Sequence, residues 1–326
     1  MLGEFDLIEK YLVGKQRQRK DVALAAGDDC ALVIPPKDCH IAVTTDTLVA
    51  GTHFLPDANP AWLAHKALAA NLSDLAAMGA TPTWASLALT LPKLDEPWMA
   101  AFCQAFFELA DYFDIQLIGG DTTKGPLSIT LTVQGVVGKD QALTRHGAEP
   151  GDWIYVTGHL GDSQAGLEVI LKPELKSQPF AEHLERQHFM RTPRILAGQS
   201  LTRYATAAID ISDGLLADLS HILQRSNVGA LINVEQIPVS SELQAFCRGS
   251  EQAYQYALNS GEEYELCFTL PDYHREQLEQ ALAHTATPVT CIGQIRGQAG
   301  LECRLNDKPF EQSVQGFDHF KGQLDE

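Results

Sequence analysis

The sequence predicts a two-domain protein of mixed α/β (α+β) class, and three observations carry that expectation. The chain has 326 residues, 45% of them hydrophobic, which is enough for two cores at about 100–200 residues per domain. Strand-like and helix-like segments alternate through both halves. The turn Glu149-Pro150-Gly151-Asp152 interrupts that alternation and divides the chain into 1–148 and 149–326.

In order, Asp6–Leu12 reads as a short helix, followed by the basic run Lys15–Lys20 as a loop. Ile41–Thr45 is rich in β-branched residues and reads as a strand ending at Asp46. Asn59-Pro60 is a helix start, an N-cap before proline, and the helix runs to Met78 with Gly79 to cap it and Leu68, Leu72 and Leu75 as its apolar stripe. A second helix spans Pro97–Phe113, with Phe102, Phe106, Leu109 and Phe113 on one side. Ile115–Ile118 is a short strand expected to break at Gly119-Gly120-Asp121, and alternation from Leu127 to Gln134 marks a half-buried strand. Beyond the turn, strands are expected at Trp153–Thr157, Ala207–Ile211, Leu266–Leu270, Val289–Ile292 and Leu301–Leu305. Helices are expected at Ser163–Leu171, from Leu215 through Leu223, and near His274–Ala283.

The formal charge is −18, which disfavours nucleic acid or an anionic membrane as partner, since both demand a basic face. No stretch has the 18 or so apolar residues of a membrane span, and the start carries Glu4, Asp6 and Glu9 instead of a basic, then apolar, leader. Seven cysteines, with no CxxC pair, fit reduced thiols better than a disulfide framework or a zinc site. A cytoplasmic location is therefore expected.

Aspartates at the ends of apolar segments carry the chemistry. They occur in Gly27-Asp28-Asp29, Thr44-Thr45-Asp46-Thr47, Asn71-Leu72-Ser73-Asp74, Gly119-Gly120-Asp121 and Asp210-Ile211-Ser212-Asp213-Gly214. Carboxylates without histidine or paired cysteine suit a hard cation such as Mg²⁺, which takes one or two protein carboxylates and completes its shell with water and phosphate oxygens. Each segment also has an ordinary reading, because Asp beside Gly is common in turns and Asp213 can simply favour a helix dipole. Asp74 resists that reading: it sits inside an alanine- and leucine-rich helix, where a cation or a donor must satisfy it. Thr45 and Asp46 can serve one metal only if the strand ends there or a backbone oxygen takes part. The chain has no GxxxxGK[ST] loop, no HRD or DFG element, no GxSxG elbow and no HExxH helix. Gly158-His159-Leu160-Gly161-Asp162 offers either backbone N–H groups to a phosphate or an ordinary strand-to-helix turn.

In order along the chain, these segments resemble those of the thiamine-monophosphate kinases, a family grouped with aminoimidazole ribonucleotide synthetase. The resemblance runs from Gly3-Glu4-Phe5 to Gly316-Phe317-Asp318-His319-Phe320. Its most specific blocks are Gly27–Ala31, Thr45–Val49, His53-Phe54, Asn71–Ala80, Gly119–Thr123 and Gly261–Leu266. It implies a two-domain aminoimidazole ribonucleotide synthetase-like fold: an N-terminal mixed sheet with helices that binds ATP and Mg²⁺ and dimerises, and a C-terminal α/β domain that completes the nucleotide and substrate sites. It also implies direct transfer of the γ-phosphoryl group of ATP to thiamine monophosphate in a homodimer, with several Mg²⁺ ions. Carried over by position, Asp29, Thr44, Thr45, Asp46, Asp74, Asp121, Asp210 and Asp213 would hold magnesium. Gly120, Asp121, Arg145 and Ser212 would contact ATP, and His53, Glu262 and Phe317 the thiamine substrate; Asp46, Asp74, Asp121 and Arg145 would carry catalysis. The chain departs from the family's usual Gly-Gly-Glu-Asp-Tyr-Glu at Ser260-Gly261-Glu262-Glu263-Tyr264-Glu265.

Such a transfer joins two phosphates, so charge repulsion is the obstacle and no general base is needed. Positioning and electrostatics suffice, in agreement with the absence of a candidate nucleophile. Two other readings compete. One is another ATP-dependent synthetase of the same superfamily. A selenophosphate synthetase would carry a reactive cysteine in a glycine-rich N-terminal segment, where Cys30 instead follows two aspartates, and a hydrogenase-maturation relative would end in cysteine, where this chain ends Leu324-Asp325-Glu326. The other is a nucleotide- or cation-binding regulator without turnover.

Overall fold

A computed structural model of the chain describes residues 3–311. The chain divides into two compact units, Met1–Ala142 and Leu143–Glu326. The segment that links the sequence-derived boundary to this one, 143–148, contributes Leu143 and Ala148 as buried residues of the second unit.

The first unit is a four-stranded mixed sheet with helices on one face. It comprises α1 (Glu4–Tyr11), a small hairpin of β1 (Val22–Leu24) and β2 (Leu32–Val33), β3 (Cys39–Val49), α2 (Pro60–Ala77), β4 (Thr81–Leu91), α3 (Glu96–Tyr112), β5 (Gln116–Lys124) and β6 (Ser128–Gly138). The sheet order is β3-β6-β4-β5, antiparallel except for the parallel pair β4 and β5. Helix α2 begins where its sequence says it should: the Asn59 side chain accepts the Ala61 N–H (2.9 Å) and Pro60 occupies the first helical position. Leu63, Leu68, Leu72 and Leu75 are buried, and the helix packs against both the sheet and α3. In α3 the buried stripe is Met99, Phe102, Cys103, Phe106 and Ala110, at helical spacing, whereas Leu109 and Phe113 are only half-buried.

Three strand expectations change. Strand β3 does not end at Asp46 but continues to Val49, paired throughout with β6. Strand β5 does not break at its glycines but runs through them to Lys124. Strand β4, which the sequence reading lacks, lies at the centre of the sheet. Its Pro82 is accommodated at a register shift between Pro82 and Trp84, which is how a proline enters a ladder.

The second unit is built on β7 (Trp153–Thr157), α4 (Asp162–Leu171), α5 (Ala181–Phe189), α6 (Ile195–Leu201), β8 (Ala207–Asp210), α7 (Leu215–Ser226), β9 (Gly229–Asn233), α8 (Ser241–Phe246), α9 (Ser250–Asn259), β10 (Leu266–Leu270), α10 (Arg275–Leu282), β11 (Val289–Arg296), β12 (Gly300–Leu305) and β13 (Lys308–Pro309). Its seven strands run in the order β13-β12-β9-β11-β7-β10-β8, and only β12 and β9 are parallel. One core joins the sheet to α7 and α9 through Leu215, Leu219, Ile222 and Leu258, and a second packs Ala165, Val169, Leu184 and Leu243 among α4, α5 and α8.

Candidate functional site

In the first unit the strand alternation sorts the candidate ligands. Thr44, Asp46 and Leu48 lie on the face of β3 turned toward the helices, while Val43, Thr45 and Thr47 are exposed on the other. Thr45 Oγ1 and Thr47 Oγ1 there pair with Thr132 and Thr130, each at 2.9 Å. Because the strand continues, the Thr45 side chain points away from Asp46, and only its backbone can share a ligand with it.

The structure does bring Asp46, Asp74 and Thr44 together. Thr44 Oγ1 donates to Asp74 Oδ2 in a short hydrogen bond, the donor that a carboxylate within α2 demands. Asp46 Oδ2 is buried without a hydrogen-bond partner. Burial, and then the negative charge of Asp74, pushes the Asp46 carboxyl up to about 6. Two carboxylates set against each other, one with an orphaned oxygen, form a donor set that fits a hard divalent cation. Among the described residues no three His, Cys, Asp or Glu side chains form a closed metal cage. Magnesium held partly by phosphate oxygens needs no such cage.

Asp29 and Asp121 are exposed and stand apart from that pair. Across the sheet Asp46 aligns with Leu131, Leu87 and Gly120, and Asp121 lies one row on, paired with Ala88. Three interstrand steps separate the two edges, roughly 14 Å. Gly120 is required by packing: at φ 151° a Cβ would lie 1.8 Å from the Leu87 carbonyl oxygen. His53 sits in the turn after β3, where its Nδ1 accepts the Val49 N–H (3.0 Å), so the neutral ring carries its proton on Nε2.

In the second unit the candidates gather around the end of β8. Asp210, its last residue, is buried beside Leu266 of β10. Beyond it the pairing continues irregularly: Tyr264 N donates to Ile211 O (2.9 Å) and Glu262 N to Ser212 O (2.7 Å). The loop of Ser212 and Asp213 is thus laid against the segment that carries Glu262. Glu262 and Tyr264 both have left-handed backbone, φ 55° and 50°, a costly conformation of the kind that collects at functional sites. Glu262 Oε2 lies 3.8 Å from His188 Nδ1. Arg145 is exposed, with its carbonyl oxygen accepting from Ser226 Oγ. Phe317 lies outside the described residues.

The departure from the usual motif is self-consistent. Ser260 has φ −66°, so this position does not require glycine. Its hydroxyl donates to Glu263 Oε1, which also accepts Gly161 N (2.9 Å) and Ser163 N (3.1 Å), while Glu263 Oε2 pairs with the buried Arg191. Glu263, fully buried, is therefore a cap for α4. This answers the question left open for the Gly158–Asp162 turn. Its Gly158 and Leu160 amides go to Pro288 O and Pro238 O, and Glu263 takes Gly161. It is a strand-to-helix turn, and these three amides are used internally. Glu265 braces the same region, accepting from Arg194 (2.6 and 2.7 Å) and Thr157 Oγ1 (2.6 Å).

The sequence reading misses Asp218, Arg191, Arg194 and His188. Asp218 alone left a signal, an aspartate in the first turn of α7. Burial pushes its carboxyl up to about 7, with the loop amides pulling down and the Asp213 carboxylate pushing up.

Known proteins resemble this chain over most of its length. Residues 27–137 match the AIR synthase related protein N-terminal domain and 149–306 the corresponding C-terminal domain. The chain is 51% identical over 320 residues to thiamine-monophosphate kinase of Escherichia coli K12, covering 98% of each. It is similar to the crystal structure of thiamine-monophosphate kinase from Stenotrophomonas maltophilia K279a, at 42% identity and a TM-score of 0.84, covering 89% of this chain and 93% of that one. It is also similar to AaThiL complexed with AMPPCP and TMP, at 33% identity and a TM-score of 0.76, covering 98% and 97%.

Proposed function

The chain belongs to the thiamine-monophosphate kinase family, among the AIR synthase related proteins, and on that premise we propose how its residues carry out the transfer. The protein is a kinase that uses ATP to convert thiamine monophosphate to thiamine diphosphate. The observation that carries the mechanism is the Asp46–Asp74 pair, with its orphaned carboxylate oxygen.

Asp46 and Asp74, oriented by Thr44, would hold Mg²⁺, with the Thr45 backbone as an additional oxygen, and on the family likeness Asp29, Asp121, Asp210 and Asp213 would be further magnesium ligands. Bound Mg²⁺ supplies neutralisation of phosphate charge. Gly120, Arg145 and Ser212 would contact ATP, and Arg145, exposed and always cationic, would face its phosphates. His53, with its proton on Nε2, would donate to the thiamine substrate, and Glu262 and Phe317 would face its cationic ring. The acceptor phosphate oxygen is already ionised, so transfer proceeds directly once both phosphates are aligned.

The family's expected homodimer is supported by apolar residues exposed on the sheet face away from α2, where Ile41 and Val43 are 44% and 61% exposed. No helix among the described residues is long and apolar enough to cross a membrane, in keeping with the proposed cytoplasmic location. The test is direct. Purified protein, ATP, Mg²⁺ and thiamine monophosphate should yield thiamine diphosphate and ADP in equal amounts, with no turnover after magnesium is chelated. ADP formation without thiamine diphosphate would refute the acceptor, and transfer undiminished by chelation would refute the metal.

A further inference from the structure

Three successive backbone N–H groups converge on one oxygen of Asp218. Ser212 N, Asp213 N and Gly214 N lie 2.9, 3.0 and 3.1 Å from Oδ2. Asp218 is 2% exposed and stands in the first turn of α7, from which its side chain folds back over the turn before the helix. The other side of that turn is held as firmly. Ser212 O accepts the Glu262 N–H, and at Gly214, with φ 119°, a Cβ would lie 2.8 Å from the Asn259 carbonyl oxygen. A Cβ on Gly261 would lie 2.7 Å from Ser212 O. The turn is thus gripped through its amides by Asp218 and through its carbonyl by the segment of Glu262.

Amides converging at a helix start form a cradle that suits phosphate. Here the protein's own carboxylate fills it. We propose that Asp218 is a positioning residue for the kinase reaction. By taking all three amides it fixes the turn so that the Ser212 hydroxyl and the Asp213 carboxylate, and not the backbone, face the nucleotide and its cation, and it keeps that turn in register with Glu262. The proposal rests on the reading of Ser212 and Asp213 as contacts to ATP and metal.

The experiment compares Asp218→Ala and Asp218→Asn with the wild type. Titration calorimetry measures AMPPCP binding with Mg²⁺, thermal melting measures stability, and amide hydrogen exchange is followed at 212–214 without nucleotide. Asp218→Asn keeps one acceptor oxygen and Asp218→Ala keeps none. Alanine should weaken Mg-AMPPCP binding by about tenfold or more, and asparagine should recover most of that loss. In the wild type the three amides should exchange as slowly as the interior of α7. Unchanged affinity in Asp218→Ala, together with a lowered melting temperature, would make Asp218 a brace for the fold alone and overturn the proposal. Rapid exchange of these amides in the wild type would overturn the clamp itself, and that measurement stands even if the alanine variant does not fold. A wild type that binds no Mg-AMPPCP would overturn the nucleotide reading, an outcome told apart from failure of the clamp because exchange is read in the absence of nucleotide.

Discussion

Replacing Asp46 with asparagine should make the metal-free protein more stable at neutral and alkaline pH while abolishing nearly all turnover. The Asp46 carboxyl is raised from 3.8 to about 6, chiefly by burial and secondarily by Asp74. A carboxyl raised in the folded state favours folding below about pH 4, and that contribution is lost as pH rises through about 6. The gap between 3.8 and about 6, at about 1.4 kcal/mol per pH unit, sets a ceiling of about 3 kcal/mol. Asp46 is only half-buried as a whole, and solvent screening reduces this to about 1.5 kcal/mol. For a unit of this size that corresponds to a melting shift of about 3–6 °C.

The assay is thermal melting of wild type and Asp46→Asn between pH 4.5 and 8, once with a chelator and once with Mg²⁺ and AMPPCP. With chelator the asparagine variant should melt higher at pH 8, and the two curves should converge toward pH 4.5. With Mg²⁺ and nucleotide the order at pH 8 should reverse, because only the wild type keeps the charge that the cation neutralises. An offset that is the same at every pH, or a variant less stable than wild type at pH 8 in chelator, would refute the argument that Asp46 is held at electrostatic cost for a cation.

The remaining predictions concern the second unit and the substrate. Glu263→Gln removes the carboxylate paired with the buried Arg191, which Asp162 and Glu265 also face, and should cost about 3–5 kcal/mol in denaturant unfolding, whereas adding Arg191→Met should recover part of that; a double variant worse than the sum of the singles would contradict the pairing. Phe317→Ala should raise KM for thiamine monophosphate about several-fold to tenfold and KM for ATP much less, and equal weakening of both with a large fall in Tm would assign Phe317 to packing. Incubation with γ-labelled ATP should leave no label on the protein, since transfer is direct; label that passes on to thiamine monophosphate would establish a phosphoenzyme.

Elements announced by local chemistry were legible in the sequence. Asn59-Pro60 set the start of α2 to the residue, because an N-cap and a first-turn proline act within a few positions. Strands β7 and β10 match their expected limits because each is a short apolar run. The failures have long-range causes. Gly119-Gly120 read as a break, yet Gly120 is there because the Leu87 carbonyl of the neighbouring strand leaves no room for a Cβ, and the strand continues past it. The segment Thr81–Leu91 went unread, yet β4 absorbs Pro82 at a register shift and takes the centre of the sheet. Helices α5, α6, α8 and α9 went unread, and the apolar residues that α5, α8 and α9 bury meet partners on other elements.

The site was legible as a list of carboxylates but not as a division of labour among them. Sequence spacing cannot reveal that Thr44 satisfies Asp74, thirty positions away, or that Asp46 keeps an oxygen without a partner. Nor can it distinguish an aspartate presented to a ligand from one consumed by the fold. Asp218 and Glu263 are of the second kind: Asp218 takes the N–H groups of Ser212, Asp213 and Gly214 in the turn before α7, and Glu263 those of Gly161 and Ser163 at the start of α4. Those five amides are bound to the protein's own anions and are not offered to a polyphosphate. At the turn before α7 the groups left are the Ser212 hydroxyl and the Asp213 carboxylate. A carboxylate attracts a polyphosphate only through an intervening cation. The proposed need for magnesium therefore follows from two features together, the orphaned oxygen of Asp46 in one unit and the internally capped helices of the other. The first asks for a cation, and the second removes two backbone sites that could have bound the phosphates without one.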